Sequence, residues 1–187
     1  MQNLTLYRYL FCALSCCVSL GNLSATAQTR HRVDQSTDYL SLVPATTGLV
    51  VALCNKDYQG LKQLALGGAT SVATNYLLEL AIKKDRPDGS GHHAFPSTHS
   101  AVAFTGAAFL QRRYGWKWGA PAYVLSTYVA WGRVYAKKHD VWDVLAGAAI
   151  GAGSSYIFTR PFVRKTNLTI APSVINDAPA LCFSATF

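Results

Sequence analysis

Five apolar stretches, at about residues 38–54, 62–82, 97–111, 118–135 and 141–159, are separated by short polar connections. Each is long enough for a helix and is rich in Ala, Leu, Val and Gly. None shows the period-two alternation of a half-buried strand. The pattern predicts an all-α fold, a helical bundle of about five core helices. Spanning a bilayer takes about 20 residues. The second, fourth and fifth stretches come near that length, whereas 97–111 is short. Small residues recur at four-residue spacing, as in Gly147 and Gly151, and such spacing lets two helices approach closely. Residues 28–37 read as polar and irregular. From Asn167 to Phe187 the character changes again, with Pro172 and Pro179 and a terminal apolar run, closer to a hairpin than to a helix. The expected organisation is a leader over 1–27, a helical domain over 28–165 and an irregular C-terminal tail over 166–187.

Composition narrows the setting of that bundle. Half of the 187 residues are hydrophobic and 14% are charged, against about 25% charged in ordinary soluble domains. The deficit points to a membrane-spanning bundle or to an unusually apolar helical core. Residues 1–27 read as a secretory signal: Arg8 supplies the positive region, Tyr9 to Leu20 the apolar stretch, and Ala25-Thr26-Ala27 the small residues before cleavage. An uncleaved first membrane helix is the competing reading. Cys12, Cys16 and Cys17 fall in that segment, which leaves Cys54 and Cys182, too few for a disulfide framework and not at metal-ligand spacing.

The formal net charge of +8 suits an anionic partner such as phosphate or a lipid head group. No basic stripe interleaved with aromatics appears, which argues against nucleic acid. If the stretches alternate in direction, one set of connections holds Lys56, Lys62, Arg112, Arg113, Lys117, Arg160, Arg164 and Lys165 against the single acid Asp57. That bias follows the positive-inside rule and predicts a bacterial-type inner-membrane protein whose other face is periplasmic. A soluble periplasmic or outer-membrane-associated bundle with a basic surface is the alternative. Trp116, Trp118 and Trp142 fit an interfacial belt, and packing explains them equally well.

The same alternation brings four polar segments to the presumptive periplasmic end: Lys83 to Pro87, Phe95 to His99, Arg133, and His139 to Asp143. Cations and histidines are dense there in a chain otherwise poor in charge, which makes an anion site. Pro96 and Ser97 read as a helix start, whose free N–H groups and dipole favour an anion. Arg86 and Arg133 can each grip phosphate oxygens with a planar fork. His139 and Asp143 stand four apart, so the carboxylate can orient the imidazole, and His99 is available for proton transfer. His92 and His93, beside Asp88, sit in a Gly-rich loop. A metal site built from them with His99 would lack helical or finger spacing.

These strings, Arg86-Pro87, Pro96-Ser97-Thr98-His99 and Gly132-Arg133 followed by His139 and Asp143, resemble the three signature motifs of the type-2 phosphatidic acid phosphatase family, which includes bacterial acid phosphatases and vanadium haloperoxidases. The resemblance covers about residues 38–160. It implies a phosphatase in which His139 is the nucleophile that forms a phosphohistidine, Asp143 its orienting carboxylate and His99 the general acid. It also implies a phosphate cradle of Arg86, Arg133, Ser97 and the backbone around Thr98, with no metal or other cofactor. The expected substrate is a phosphorylated membrane lipid: lipid A, a polyprenyl diphosphate or a phosphatidic-acid-like lipid. A soluble acid phosphatase of broad specificity and a non-catalytic lipid-binding relative are the alternatives.

Two positions depart from the family pattern. Gly132 stands where Ser usually precedes the third-motif arginine, and Glu79 stands where the first motif usually has a lysine. A carboxylate cannot hold phosphate. On a continuous helix Lys83 would share the stripe of Glu79 and Arg86, and Lys84 would point about 100° away. Lys83 is therefore the expected replacement.

Overall fold

The computed structural model describes residues 26–162, 167–175 and 178–186. Among them form α1 (Thr26–Leu40), α2 (Val43–Cys54), α3 (Tyr58–Ala81), α4 (Thr98–Tyr114), α5 (Trp116–Tyr135), α6 (Val141–Phe158), β1 (Asn167–Ile175) and β2 (Ala178–Thr186). The helical bundle is as the hydrophobic pattern predicts. Helices α2 to α6 coincide with the five apolar stretches, and α4 is central, packing on α2, α3, α5 and α6.

Two expectations about the flanks need correction. Residues 28–37 are not irregular but belong to α1, which rests on α5. Local sequence gives this helix little support, and tertiary contacts hold it. Gly132 of α5 carries no side chain, and a Cβ there would collide with the methyl of Thr37 and press on Val33. The first apolar stretch is accordingly shorter than expected, because the chain turns at Ser41 and Leu42 before α2 starts, with Pro44 in its first turn. The tail is the hairpin that its sequence resembled, not an irregular segment. Strands β1 and β2 pair antiparallel from Asn167 with Thr186 to Ile175 with Ala178. In a ribbon of two strands both are edges, so Pro172 and Pro179 remove no interior ladder bond. The leader lies outside the described residues except for Thr26 and Ala27. Cys54 is an exposed free thiol.

The packing inverts the usual distribution of residue sizes. The buried face of α3 is Gly60, Gln63, Gly67, Ser71 and Asn75, and that of α6 is Asp143, Val144, Gly147, Gly151, Ser154 and Ser155. The large apolar side chains of the same helices, among them Leu66, Val72, Leu77, Leu80, Leu145 and Ile157, point outward. Water would penalise that surface and lipid does not, since helices in a bilayer associate through small residues in close contact. Among the described residues two stretches, Gln28–Cys54 and Val141–Phe158, are long and apolar enough to cross a membrane.

Small residues also set the register on which the polar end depends. A Cβ at Gly147 would strike the Ser97 carbonyl oxygen, and one at Gly151 would strike that of Ala101. The Gly147–Gly151 pair read from the sequence thus seats the middle of α6 directly on the start of α4.

Candidate active site

Four chain segments meet at the end of the bundle where α3 and α5 finish and α4 and α6 begin. Ser97 is the residue before α4, as predicted, but its hydroxyl makes no capping bond. Its backbone N–H donates to the carbonyl of Asp143 at 2.9 Å, which ties the α4 start to α6. The N–H groups of the next residues, Thr98 and His99, lie in the first turn of the helix and have no intrahelical acceptor. The hydroxyls of Ser97 and Ser100 are buried without a hydrogen-bond partner.

His139 lies between α5 and α6, 4% exposed. Its backbone N–H reaches back to the carbonyl of Arg133, at 3.3 Å, so the two motif residues are locked together. Its Nδ1 is 2.7 Å from the carbonyl oxygen of Ala94. A carbonyl can only accept, so Nδ1 carries the proton and the neutral ring keeps a bare lone pair on Nε2. Burial first, then the charges of Arg133 and Arg86, outweigh the Ala94 bond and the Asp143 carboxylate and push the imidazole down to about 4. At neutral pH the ring is uncharged.

This corrects the expected partner of His139. Asp143 is fully buried but forms no hydrogen bond to the ring. Its oxygens take the Lys84 ammonium at 2.7 Å and the Asp140 N–H at 2.8 Å, so it acts on His139 only through its charge. Ala94 fills the orienting role because the loop between α3 and α4 folds on itself. Asp85 and His92 form a β-bridge, the Arg86 N–H donates to Gly91 O at 2.9 Å, and the Ala94 N–H donates to Lys84 O at 2.8 Å.

The lysine assignment is also corrected. Helix α3 ends at Ala81, with Ile82 already extended, so the helical stripe that would carry Lys83 to the site does not exist. In extended backbone successive side chains face opposite ways. Lys83 is exposed, while Lys84 ion-pairs with Asp143 at 2.7 Å and Asp140 at 3.0 Å. Burial lowers Lys84, but its bonds to these two carboxylates win and leave it raised.

Arg86 and Arg133 bear on both His99 and His139 through their charges, and the Nε of each is buried without a partner. The other end of Arg133 is engaged: NH1 donates to Asp34 and to Asp38, both at 2.7 Å. Asp38 also lies 3.1 Å from Nε2 of His99. These two α1 carboxylates were not among the candidate residues. Their four-residue spacing is legible, but only once 28–37 is known to be helical. His93 Nδ1 lies 3.2 Å from the Glu79 carbonyl and His92 pairs with Asp85 at the surface. Among the described residues no group of His, Cys, Asp and Glu is arranged to hold a metal ion.

A helical bundle that gathers two histidines, two arginines and an open helix start in this order defines a class of phosphoryl-transfer protein. The chain belongs to the PAP2 superfamily, whose family model matches residues 26–167. It is 31% identical over 151 residues to a lipid A 4'-phosphatase of Helicobacter pylori, covering 75% of each chain. It is 27% identical over 135 residues to a lipid A 1-phosphatase of Helicobacter pylori, covering 66% of this chain and 69% of the relative. Among solved structures it shares its fold with Aquifex aeolicus LpxE, at a TM-score of 0.57, 19% identity and coverage of 74% and 96%. A transmembrane PAP2-type phosphatidylglycerolphosphate phosphatase from Bacillus subtilis also superposes at 0.57, with 23% identity and coverage of 78% and 81%. The chain is a phosphomonoester hydrolase and a lipid phosphatase of the membrane.

Proposed function

We propose that the protein removes a phosphate monoester from lipid A, or from a lipid that presents phosphate in the same way, through a phosphohistidine on His139. The observation that carries this reading is the set of buried, unpartnered polar groups at the same end of the bundle as the bare imidazole nitrogen: Arg86 Nε, Arg133 Nε, Ser97 Oγ and Ser100 Oγ. An unsatisfied buried polar group costs about 1–3 kcal/mol, and a phosphate would satisfy several at once.

Nε2 of His139 attacks phosphorus and forms the P–N bond as the P–O bond to the lipid breaks. His99 gives its proton to the departing oxygen. Arg86, Arg133, the Ser97 hydroxyl and the N–H groups at Thr98 hold the three non-bridging oxygens, where negative charge accumulates. Water then attacks the phosphohistidine, His99 accepts its proton, and phosphate leaves. Lys84 holds Asp143 and supplies positive charge at the rim, which Glu79 cannot. The apolar flanks of α3 and α6 place this end at the bilayer surface. The basic connections at the opposite end support a periplasmic orientation of the site.

Phosphate release from a panel of purified lipids tests the proposal, with lipid A carrying 1- or 4'-phosphate, a polyprenyl diphosphate and phosphatidic acid in mixed micelles. Wild-type protein is expected to release phosphate from lipid A with EDTA present. His139→Ala is expected to lose at least about a thousandfold in rate while remaining folded. Turnover by His139→Ala within tenfold of wild type would sink the covalent mechanism. Preference for another lipid in the panel would redirect the substrate.

A further inference from the structure

We infer that α1 is part of the catalytic apparatus, with Asp38 and Asp34 as positioning residues: Asp34 fixes the guanidinium of Arg133, and Asp38 fixes both Arg133 and His99. The inference rests on the phosphatase reading for the role of His99 and on geometry alone for Arg133.

The register of α1 against α5 is specific. Val33 and Thr37, four apart, straddle Gly132, where any Cβ would collide with Thr37. Asp34 and Asp38 follow each by one residue, also four apart, and so meet the next residue of α5, Arg133. The departure at Gly132 and the pair of carboxylates are thus two parts of one contact. Without the glycine, α1 could not lie close enough for its acids to reach.

A guanidinium offers five N–H donors around one plane. Two carboxylates on NH1, each at 2.7 Å, fix the rotation of that plane and leave the buried Nε unpaired. The edge of the fork not taken by α1 is therefore available to phosphate oxygens. The same Asp38 oxygen lies 3.1 Å from Nε2 of His99. A general acid must hold its proton until the leaving oxygen needs it, and a carboxylate beside the ring helps it do so. Asp38 supplies the counter-charge and holds the ring in line with Arg133. Among the described residues the Asp34 side chain, 19% exposed, hydrogen-bonds Arg133 and reaches His99 only through its charge, whereas Asp38, at 48%, has a solvent-facing side and bridges the two.

The different contacts of the two acids give a test with separable readouts. Asp34→Asn, Asp38→Asn and Asp38→Glu are assayed against an alkyl phosphate, which needs a proton on its leaving oxygen, and p-nitrophenyl phosphate, which does not. Inorganic orthovanadate binding is measured separately, without turnover. Asp34→Asn is expected to weaken vanadate binding by roughly tenfold and to lower kcat/KM equally on both substrates. Asp38→Asn is expected to do the same and, in addition, to lose roughly tenfold more on the alkyl than on the aryl phosphate. Asp38→Glu should recover most of that extra loss. A merely structural contact would give equal losses on both substrates and a lowered unfolding temperature, which overturns the role of Asp38. A rise in activity or in vanadate affinity on removing either acid would show that α1 blocks the site, and would overturn the inference as a whole. Should the wild type turn over neither substrate, the phosphatase reading fails, and vanadate affinity across the variants still decides whether the acids position Arg133.

Discussion

Two buried arginines mark opposite ends of the bundle and are partnered in opposite ways. Arg113, at the end of α4, is complete. Its Nε and NH2 grip both oxygens of Asp57 at 2.7 and 2.6 Å, and NH1 donates to the Arg160 carbonyl at 2.8 Å. Asp57 is complete as well, because Gly60 N–H and Tyr114 O–H, each at 2.9 Å, occupy its remaining lone pairs. Arg133, at the end of α5, has two acids on one nitrogen and none on its buried Nε. Nearby Arg86 Nε and the Ser97 and Ser100 hydroxyls are likewise unpaired. A network that satisfies all its members specifies structure; one that leaves buried donors unpaired is open to a ligand. The comparison separates a fastener from a binding site without reference to motifs.

The sharpest way to break this comparison is to remove each arginine and read two quantities. Arg133→Ala is expected to lower kcat/KM by about 10²–10³, the scale of losing one charge-stabilising donor, and to change unfolding temperature little. Arg113→Ala leaves Asp57 as an uncompensated buried charge, which costs about 3–5 kcal/mol of stability. The fraction of Arg113→Ala that stays folded should keep wild-type turnover per active site. Thermal unfolding in detergent and phosphate release on the same preparations give both numbers. If Arg113→Ala kills turnover in folded protein, or Arg133→Ala mainly unfolds the chain, the assignment of the two ends is wrong.

His139 offers a smaller and continuous test. Its imidazole is depressed to about 4 by burial and by Arg133 and Arg86, so it is uncharged through the neutral range. The acid limb of kcat/KM from the nucleophile should therefore fall at about pH 4, not near 6.5. Stability falls in the same direction but over the window above that limb. Between 6.5 and about 4 the unfolded chain binds a proton that folded His139 refuses, so stability declines as pH falls across that window. Rates should accordingly be measured on briefly acidified enzyme that recovers full activity at neutral pH. An acid limb near 6.5 that persists in such enzyme would mean that His139 is not held as the structure holds it.

How much of this the sequence disclosed depends on whether periodicity or backbone carries the information. The helices α3 to α6 follow from apolar runs, and the Gly147–Gly151 contact from small-residue spacing, because each is a repeated local signal. The histidines and arginines follow from topology alone, since an up-and-down bundle must bring those helix ends together. The partner of His139 was not legible, because it is the backbone carbonyl of Ala94, set by the fold of a Gly-containing loop. Helix α1 was missed for a related reason. Its own residues favour helix weakly, and what holds it is the absence of a side chain at Gly132, about a hundred residues away in the chain.

The smallest expected effect concerns the two lysines, where a single residue of backbone geometry changed the answer. A helix continued past Ala81 would carry Lys83 into the site, but α3 stops there and the chain runs extended, which places Lys84 on Asp143 and Asp140 and leaves Lys83 exposed. Lys84 does not touch His139, so its removal acts through Asp143, which would be left buried with the Asp140 N–H as its remaining donor and no ion pair. Lys84→Ala is expected to lower kcat/KM by roughly tenfold and to reduce stability modestly. Lys84→Arg should restore the charge but fit two carboxylates less well than the compact ammonium does. Lys83→Ala should remain within about twofold of wild type, as befits an exposed side chain. Kinetics of the three variants on one lipid substrate decide the matter. A severe Lys83→Ala beside a silent Lys84→Ala would require α3 to continue through residue 84 when substrate is bound.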